Sequence, residues 1–263
     1  MSAVPILLEI QNLTKRFGGV VALDHVNVTI EPGKIISLIG PNGAGKTTLF
    51  NCITGVDRAD EGSVTFGDYQ EETWKFPAYR IAKIGIARTF QTIRLFKNMS
   101  VLENVKTGAH SKTHAGLWSI LFHAHWVYKE ETKIQNHALE LLDLCGLLPK
   151  AHELAKNLPY GYQRRLEIAR ALACQPKLLL LDEPAAGMNP NEKEDLLSLI
   201  RIIRNQGVTL FLIEHDMKVV MPISDKVIVL DYGKKIAEGT SQEIQSNPQV
   251  IEAYLGKGYT PHA

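Results

Sequence analysis

The sequence predicts an α/β fold in which parallel strands and helices alternate around a phosphate-binding loop. A short apolar run, Lys34–Ile39, is followed by a glycine-rich loop and then by a segment of helical character. Two further apolar runs, Leu178–Leu181 and Val208–Ile213, each end in polar side chains, the pattern of buried parallel strands with a ligand at their carboxyl ends. Residues 26–30 instead alternate between apolar and polar, which predicts an antiparallel sheet beside the parallel one.

The first elements are two predicted strands, over residues 6–11 and 26–30. The segment Thr14–Gly19 between them is predicted as a turn that carries one aromatic residue, Phe17. The ring of Phe17 either packs against the protein or offers a face on which a nucleotide base can stack.

The loop after the Lys34–Ile39 strand has the G-x-x-x-x-G-K-[ST] pattern of a phosphate-binding loop. Its glycines let backbone N–H groups turn toward phosphate oxygens, and the helix predicted over 47–54 adds the positive end of its dipole. We expect Lys46 to reach the β- and γ-phosphates of a nucleotide and the Thr47 hydroxyl to bind Mg²⁺. A chance glycine-rich turn is the alternative, but the preceding strand and the following helix argue against it.

Three short elements follow: a strand over 62–67, a strand over 84–91 that ends at Gln91, and a helix near 101–105 with Ser100 as its N-cap.

Residues 110–137 hold five of the nine histidines and an apolar, aromatic segment. Their spacing matches no metal-ligand pattern. The segment is therefore either an insertion packed on neighbouring helices or a contact with a membrane-embedded partner. Residues 130–145 predict an amphipathic helix.

Polar side chains collect at the ends of two predicted strands, the edge where α/β sheets bind ligands. Asp182 and Glu183 end the first strand, and His215 follows the second. Asp182 suits a Mg²⁺ ion and Glu183 suits orienting or deprotonating a water molecule. Capping of nearby backbone is the alternative for the acids, and an ordinary structural role is the alternative for His215.

The remaining elements continue the alternation. Helices are predicted from Pro159 to Leu172 and over 191–205, a strand pair around Asp231–Lys234, and short helices after it.

Composition limits the class of protein. The 263 residues, 45% hydrophobic, fit one large α/β domain with a smaller appended subdomain. A formal net charge of +1 gives no basic surface for nucleic acid. The apolar runs fall far short of the about 18 residues of a membrane span, and the first residues lack a signal-peptide pattern. Three cysteines far apart in the chain fit reduced thiols in a cytosolic protein.

Taken together, these motifs resemble those of ATP-binding-cassette (ABC) ATPases over essentially the whole chain. The resemblance implies that ATP and Mg²⁺ are the cofactors, that Gln91 links the metal and the water to the transport subunit, and that His215 contacts the γ-phosphate. The implied catalytic residues are Glu183, His215 and Gln91. The implied metal-binding residues are Thr47, Gln91 and Asp182. The implied nucleotide-binding residues are Phe17, Gly40, Pro41, Asn42, Gly43, Ala44, Gly45, Lys46, Thr47, Thr48 and Gly161.

One motif departs from the family pattern. The signature is usually Leu-Ser-Gly-Gly-Gln, whereas this chain has Leu158-Pro159-Tyr160-Gly161-Tyr162. Pro159 replaces the serine whose hydroxyl would meet the γ-phosphate, and Tyr162 replaces the glutamine. Gly161 still offers its backbone N–H. The segment Ala186–Pro190 resembles the family loop that crosses the dimer interface.

The resemblance implies one ABC domain over 1–263, with an N-terminal antiparallel β subdomain, a helical subdomain over roughly 92–165 and a C-terminal tail over 240–263. Within the family, the sequence resembles the longer ATPase subunit of branched-chain amino-acid importers, through segments such as Ala87-Arg88-Thr89-Phe90-Gln91 and Ile213-Glu214-His215-Asp216-Met217. The implied location is peripheral, on the cytoplasmic face of the inner membrane.

The implied partners are membrane permease subunits, a second ABC ATPase subunit that is either a copy or a different chain, and indirectly a solute-binding protein, but no nucleic acid. Gln91 and the segment to about residue 105, including Phe96, are expected to form the cleft that receives a permease helix. Three alternatives stay open: a urea or amide importer, a soluble ABC ATPase of translation or DNA maintenance, and a small-molecule kinase.

Overall fold

The computed structural model describes residues 5–67, 69, 75–109 and 125–255. Its main sheet has six strands in the order β5-β6-β7-β3-β8-β9, parallel except for the β8–β9 hairpin. The central strands β3, β6 and β7 are buried at every position, as their unbroken apolar sequences predict. The strands are β3 (Ile35–Ile39), β5 (Ile86–Arg88), β6 (Leu178–Asp182), β7 (Thr209–Ile213), β8 (Lys226–Asp231) and β9 (Lys234–Gly239).

A second sheet of three antiparallel strands, in the order β2-β1-β4, lies at the N-terminal end. Its strands are β1 (Leu8–Phe17), β2 (Val20–Ile30) and β4 (Glu61–Phe66). The predicted turn over Thr14–Gly19 is wrong for Thr14–Phe17, because pairing continues to Phe17 opposite Val20. The turn itself is confined to Gly18 and Gly19. Register shifts after Ile10 break the apolar alternation that sequence reasoning follows, so the strand continues where the pattern fails.

The helices confirm most of the predicted elements. They are α1 (Lys46–Ile53), α2 (Ala78–Ile84), α3 (Val101–Ala109), α4 (His125–Leu144), α5 (Tyr160–Leu172), α6 (Pro190–Asn205), α7 (Met217–Val220), α8 (Ser241–Gln245) and α9 (Pro248–Leu255). Ser100 caps α3, since its hydroxyl accepts the Glu103 N–H while the Glu103 carboxylate accepts the Ser100 N–H. Helices α3, α4 and α5 pack together through buried side chains such as Val105, Leu142 and Leu166. The boundaries 92–165 of a helical subdomain stay a prediction.

The predicted strand over 84–91 is wrong at both ends. Helix α2 ends at Ile84, and Gly85, at φ +106°, reverses the chain. Only Ile86–Arg88 pair with β6. Beyond Thr89 the backbone leaves the sheet, because the N–H and C=O groups of Phe90 bond to side chains of α5 instead.

Two sequence expectations meet the limits of the described residues. His110, His114, His123 and the apolar segment 117–122 lie outside them, so neither interpretation of the 110–137 segment is resolved. Within the described ranges, no group of three or more His, Cys, Asp or Glu side chains could hold a metal ion. No helix of the described chain has the length and apolar composition needed to cross a bilayer.

Candidate functional site

The glycine-rich loop joins β3 to α1 in a conformation that depends on two glycines. Gly40 has φ +151°, and a Cβ there would lie 2.1 Å from the Leu230 carbonyl oxygen. Gly45 has φ +100°, and its Cβ would lie 2.4 Å from the Ala22 carbonyl oxygen. The backbone at Leu230 and Ala22 therefore lies so close to the loop that a side chain at either glycine would force the backbone to move.

Lys46, the first residue of α1, places its positive charge inside the loop. It is 8% exposed, and its ammonium donates to the carbonyl oxygens of Gly40 at 2.7 Å and Pro41 at 2.9 Å. Burial lowers the pKa of Lys46, while the negative charges of Glu183 and Asp182 oppose that effect. A buried cation at a helix N-terminus is suited to an anionic ligand.

A cleft of about 400 Å³ opens above this loop. Its walls are the loop itself, the start of β2, and three side chains from elsewhere in the chain, Gln91, Glu183 and Tyr232. The residues that line it are Val20, Val21, Ala22, Asn42, Gly43, Ala44, Gly45, Lys46, Thr47, Thr48, Gln91, Glu183 and Tyr232. Tyr232 was missed by sequence reasoning, since an exposed tyrosine in a hairpin turn carries no sequence signal.

Phe17 lies beside the cleft but not among its lining residues. It is the last residue of β1, half exposed, and pairs with Val20, which does line the cleft. The Lys15 ammonium lies 5.1 Å from the centre of its ring. The ring is thus available near the cleft mouth, and its stacking on adenine stays a prediction.

The three residues predicted as catalytic converge at the carboxyl edge of the sheet. Glu183 follows β6 with φ +46°, a conformation that non-glycine residues seldom adopt and that is concentrated at functional sites. The Gln91 side-chain amide donates to Glu183 Oε2 at 3.1 Å. His215 Nδ1 lies 3.9 Å from Glu183 Oε1, beyond hydrogen-bond range.

Asp182 forms a buried ion pair that sequence reasoning missed. Arg88 donates to Asp182 Oδ2 at 2.8 Å, and both side chains are less than a tenth exposed. Arg88 also donates to Asn51 Oδ1 at 2.7 Å, which ties β5 and β6 to helix α1. Arg88 lies within a segment that carries the family resemblance, but nothing in the sequence identifies Asp182 as its partner.

The residues assigned to Mg²⁺ offer a hydroxyl, an amide and a carboxylate, the hard oxygen ligands that this cation takes alongside phosphate. The Thr47 hydroxyl is exposed at the cleft. Because the Gln91 amide nitrogen is directed at Glu183, its oxygen is left for a cation. The donor set therefore fits the ion chemically, but only Thr47 and Gln91 line the cleft. Asp182 is 3% exposed, accepts a hydrogen bond from Arg88 and is not among the lining residues.

Glu214 binds the backbone that follows Glu183. It is 1% exposed, and its Oε1 accepts the Ala185 N–H at 2.9 Å, so it anchors the backbone just after Glu183. Burial raises the pKa of Glu214, and the backbone bond from Ala185 opposes that rise.

The signature segment is not brought to this cleft. Pro159 is the N-cap of α5, and a Cβ on the buried Gly161 would lie 2.7 Å from Glu192 Oε1 at the start of α6. Tyr160 packs on the next loop, where a Cβ on Gly187 would lie 3.4 Å from its ring. None of residues 158–162 is among the residues that line the cleft.

A second cavity, of about 630 Å³, is lined in part by the segment after Gln91. Phe96, half exposed, lines it together with Leu95 and residues of α3 and α5. The Arg170 guanidinium lies 5.6 Å from the Phe96 ring centre. The neighbours of Gln91, Phe90 and Arg94, line this groove while Gln91 itself lines the first cleft.

The sequence over residues 23–186 matches the profile of the ABC transporter family. The chain belongs to the ABC transporter family. Residues 234–260 also match the profile of a branched-chain amino acid ATP-binding cassette transporter family.

Relatives and solved structures agree with this membership. The chain is 46% identical over 252 residues to the high-affinity branched-chain amino acid transport ATP-binding protein LivG of Escherichia coli K12, covering 95% of this chain and 98% of that one. It is 44% identical to BraF of Pseudomonas aeruginosa, a protein with the same description, at the same coverage. A nucleotide-free ATP-binding cassette of an ABC transporter is 35% identical, with a TM-score of 0.82 over 96% of this chain and 100% of that one.

As an ABC cassette the chain binds ATP and hydrolyses it, and the predicted fold class is confirmed. Family membership also excludes the small-molecule kinase.

The signature departs from the family pattern at a third position that sequence reasoning passed over. Tyr160 stands where the first glycine of Leu-Ser-Gly-Gly-Gln is usual, and its ring is the group that contacts Gly187.

Proposed function

We propose that the chain is the ATP-hydrolysing subunit of an importer for branched-chain or related amino acids, working on the cytoplasmic face of the inner membrane. The observation that carries the hydrolytic role is the convergence of Gln91, Glu183 and His215 beside the phosphate-binding loop. The solute is supported by relatives named for branched-chain amino acid transport at 44% to 46% identity over nearly their whole length.

In this proposal the glycine-rich loop and Lys46 hold the phosphates, because their N–H groups and positive charge face one concave surface. Thr47, Gln91 and Asp182 hold Mg²⁺, which supplies charge neutralisation on the phosphates. Arg88 fixes Asp182 at the sheet edge. Glu183 orients the attacking water, and His215 senses the γ-phosphate from the adjacent strand end.

A second cassette completes each site. Gly161 lies away from the loop of its own chain, so its N–H reaches a nucleotide only across a dimer interface. A related ABC cassette, 27% identical with a TM-score of 0.75, was solved as a dimer bound to ADP and phosphate. Pro159 offers neither a hydroxyl nor an N–H. We therefore expect the signature contact to the γ-phosphate to be weaker in the site to which this chain contributes its signature than in the site built on its own phosphate-binding loop.

The groove beside Phe96 is the proposed permease contact. It shares no lining residue with the nucleotide cleft, and its half-exposed aromatic ring can receive an apolar helix face. The segment 90–96 separates the two cavities, so a helix bound in one displaces the backbone that carries Gln91 in the other.

The test is Glu183→Gln in the transporter reconstituted in vesicles. ATP binding should persist and turnover should fall by roughly 10²- to 10⁴-fold, because the carboxylate no longer positions water. Lys46→Ala is the matched contrast, since it should weaken ATP binding itself. Turnover within about threefold of the parent would contradict the role of Glu183, on the scale of general-base effects.

Uptake assays with leucine and with urea decide the solute. ATP-dependent uptake of leucine that disappears with Glu183→Gln supports the proposal. Uptake of urea or an amide without leucine would favour the alternative importer class, and copurification with ribosomes or DNA would reject transport.

A further inference from the structure

A fully buried ion pair lies on helix α5 beneath the Gln91 segment. Arg164 and Glu167 are one helical turn apart, and their side chains are 0% and 1% exposed. Arg164 Nη1 donates to Glu167 Oε2 at 2.8 Å. Burying two charges costs more than an ordinary polar contact returns unless further hydrogen bonds satisfy them.

Those further bonds go to the backbone around Gln91. Arg164 donates to the carbonyl oxygens of Phe90 at 2.6 Å and Gln91 at 2.9 Å. Glu167 Oε1 accepts the N–H of Phe90 at 3.3 Å and of Arg94 at 3.4 Å. Because residues 90–94 form no helix or strand, this ion pair supplies the order that secondary structure gives elsewhere.

The pair is better suited to orienting this segment than to stabilising the fold. Arg164 Nε is buried without a hydrogen-bond partner among the described residues, which is a cost to stability. A hydrophobic pair of similar volume would avoid that cost but could not hold two carbonyls and two N–H groups at once.

The same pair contacts the Phe96 groove and the signature residue Tyr160. Glu167 lines the Phe96 groove. Arg164 Nη2 lies 3.3 Å from the Tyr160 hydroxyl, and the Tyr160 ring packs on the loop at Gly187. A shift of α5 is therefore transmitted to the Gln91 backbone through hydrogen bonds rather than through loose packing.

We propose that Arg164 and Glu167 are positioning residues that hold the Gln91 side chain against Glu183. The inference rests on the proposed roles of Gln91 and Glu183, and neither positioning residue touches the nucleotide. When α5 moves, the pair carries residues 90–94 with it, so Gln91 approaches or leaves Glu183.

The test is Glu167→Gln in the assembled transporter, which removes the charge but keeps the shape. We expect kcat for ATP to fall roughly 10- to 100-fold with KM within about twofold, the result of a displaced catalytic group rather than lost binding. In a Gln91→Ala background the same change should alter kcat by less than about twofold, because the group it positions is gone. The Phe90 and Arg94 amides should exchange hydrogen at least about tenfold faster.

The matched control is Asp195→Asn. It breaks an ion pair between Asp195 and Arg165, the residue that follows Arg164 on α5. The Arg165 Nη2 to Asp195 Oδ2 distance is 2.7 Å, but the Asp195 side chain is two-thirds exposed. It should leave kcat and exchange unchanged. If Glu167→Gln prevents folding, Arg164→Lys replaces it under the same criteria, since lysine cannot bridge both carbonyls.

An unchanged kcat, an equal loss in the Gln91→Ala background, or unchanged exchange at Phe90 and Arg94 would overturn the inference. If Gln91→Ala alone leaves kcat unchanged, the proposed role of Gln91 fails instead. The exchange measurement then still decides whether the pair orders the segment.

Discussion

Replacing Arg88 by methionine should destabilise the protein strongly, because it leaves Asp182 as a buried charge without its partner. The Arg88–Asp182 pair is 2.8 Å long with side chains 7% and 4% exposed, so water cannot replace the guanidinium. Methionine keeps comparable bulk between the Phe50 and Phe90 rings, whose centres lie 5.5 Å and 5.2 Å from the guanidinium. The change therefore removes charge and hydrogen bonds rather than volume.

Breaking a buried pair from one side costs about 3–5 kcal/mol in the free energy of unfolding. We take the lower end of that range, about 3 kcal/mol, as the minimum expected loss. For a domain of this size each kcal/mol lowers the unfolding midpoint by about 2–4 °C, so the midpoint should fall by roughly 6–12 °C.

The assay is thermal and urea unfolding followed by circular dichroism, on the parent, on Arg88→Met and on Arg88→Met combined with Asp182→Asn. The double variant should recover at least half of the loss, since the unpaired charge is then absent. Arg16→Met is the control: the Arg16–Glu61 pair is 2.7 Å long but both side chains are about half exposed, so the midpoint should hardly move. A midpoint for Arg88→Met equal to that of Arg16→Met would refute the argument.

Two further predictions concern other residues. Glu214→Gln should remove a pH dependence of the stability. Because burial raises the pKa of Glu214 in the folded state, the unfolding free energy of the parent falls as pH rises from the unfolded-state pKa to the folded-state pKa. The loss is about 1.4 kcal/mol for each pH unit between those two pKa values. Urea unfolding between pH 5 and pH 8 checks this, and equal pH slopes in parent and variant would contradict it. Pro159→Ser should strengthen ATP-driven dimerisation of the isolated chain roughly ten- to hundredfold, since it restores a hydroxyl worth about 1.5–3 kcal/mol on a charged group. Sedimentation with ATP checks it against the parent and against Pro159→Ala. Equal dimerisation of Pro159→Ser and the parent would show that the proline is silent, and equal dimerisation of the two variants would show that the hydroxyl adds nothing.

The sequence predicted the central strands well because local signals agree there. The apolar runs that form β3, β6 and β7 are unbroken, and glycines or charged residues bound them, so their limits were predicted within about one residue. The β1–β2 hairpin failed for the opposite reason, since register shifts after Ile10 remove the alternation while the pairing continues. The strand over 84–91 failed because side chains of α5, far away in sequence, satisfy the Phe90 backbone.

The candidate site likewise contains residues that the sequence predicts and residues that it does not. Strand ends share one edge of a parallel sheet, and therefore Glu183 and His215 could be placed near the loop from sequence alone. Arg88 and Glu167 could not be assigned, because their partners lie 94 and 77 positions away and any arginine or glutamate could have been a solvated surface charge.

The consequences of the altered signature cannot be predicted from the sequence alone, because they depend on contacts between distant parts of the chain. From the sequence, Pro159 and Tyr162 signify lost contacts to a nucleotide. In the fold, Tyr160 begins α5 and spans from the Arg164 guanidinium to the loop at Gly187. A glycine there would leave Arg164 without this hydroxyl and the Gly187 loop without this ring. The substitution that weakens the resemblance thus strengthens the connection between α5, the Gln91 segment and the loop before α6, so changes at Tyr160 should affect the coupling of these elements rather than the binding of ATP by this chain's own loop.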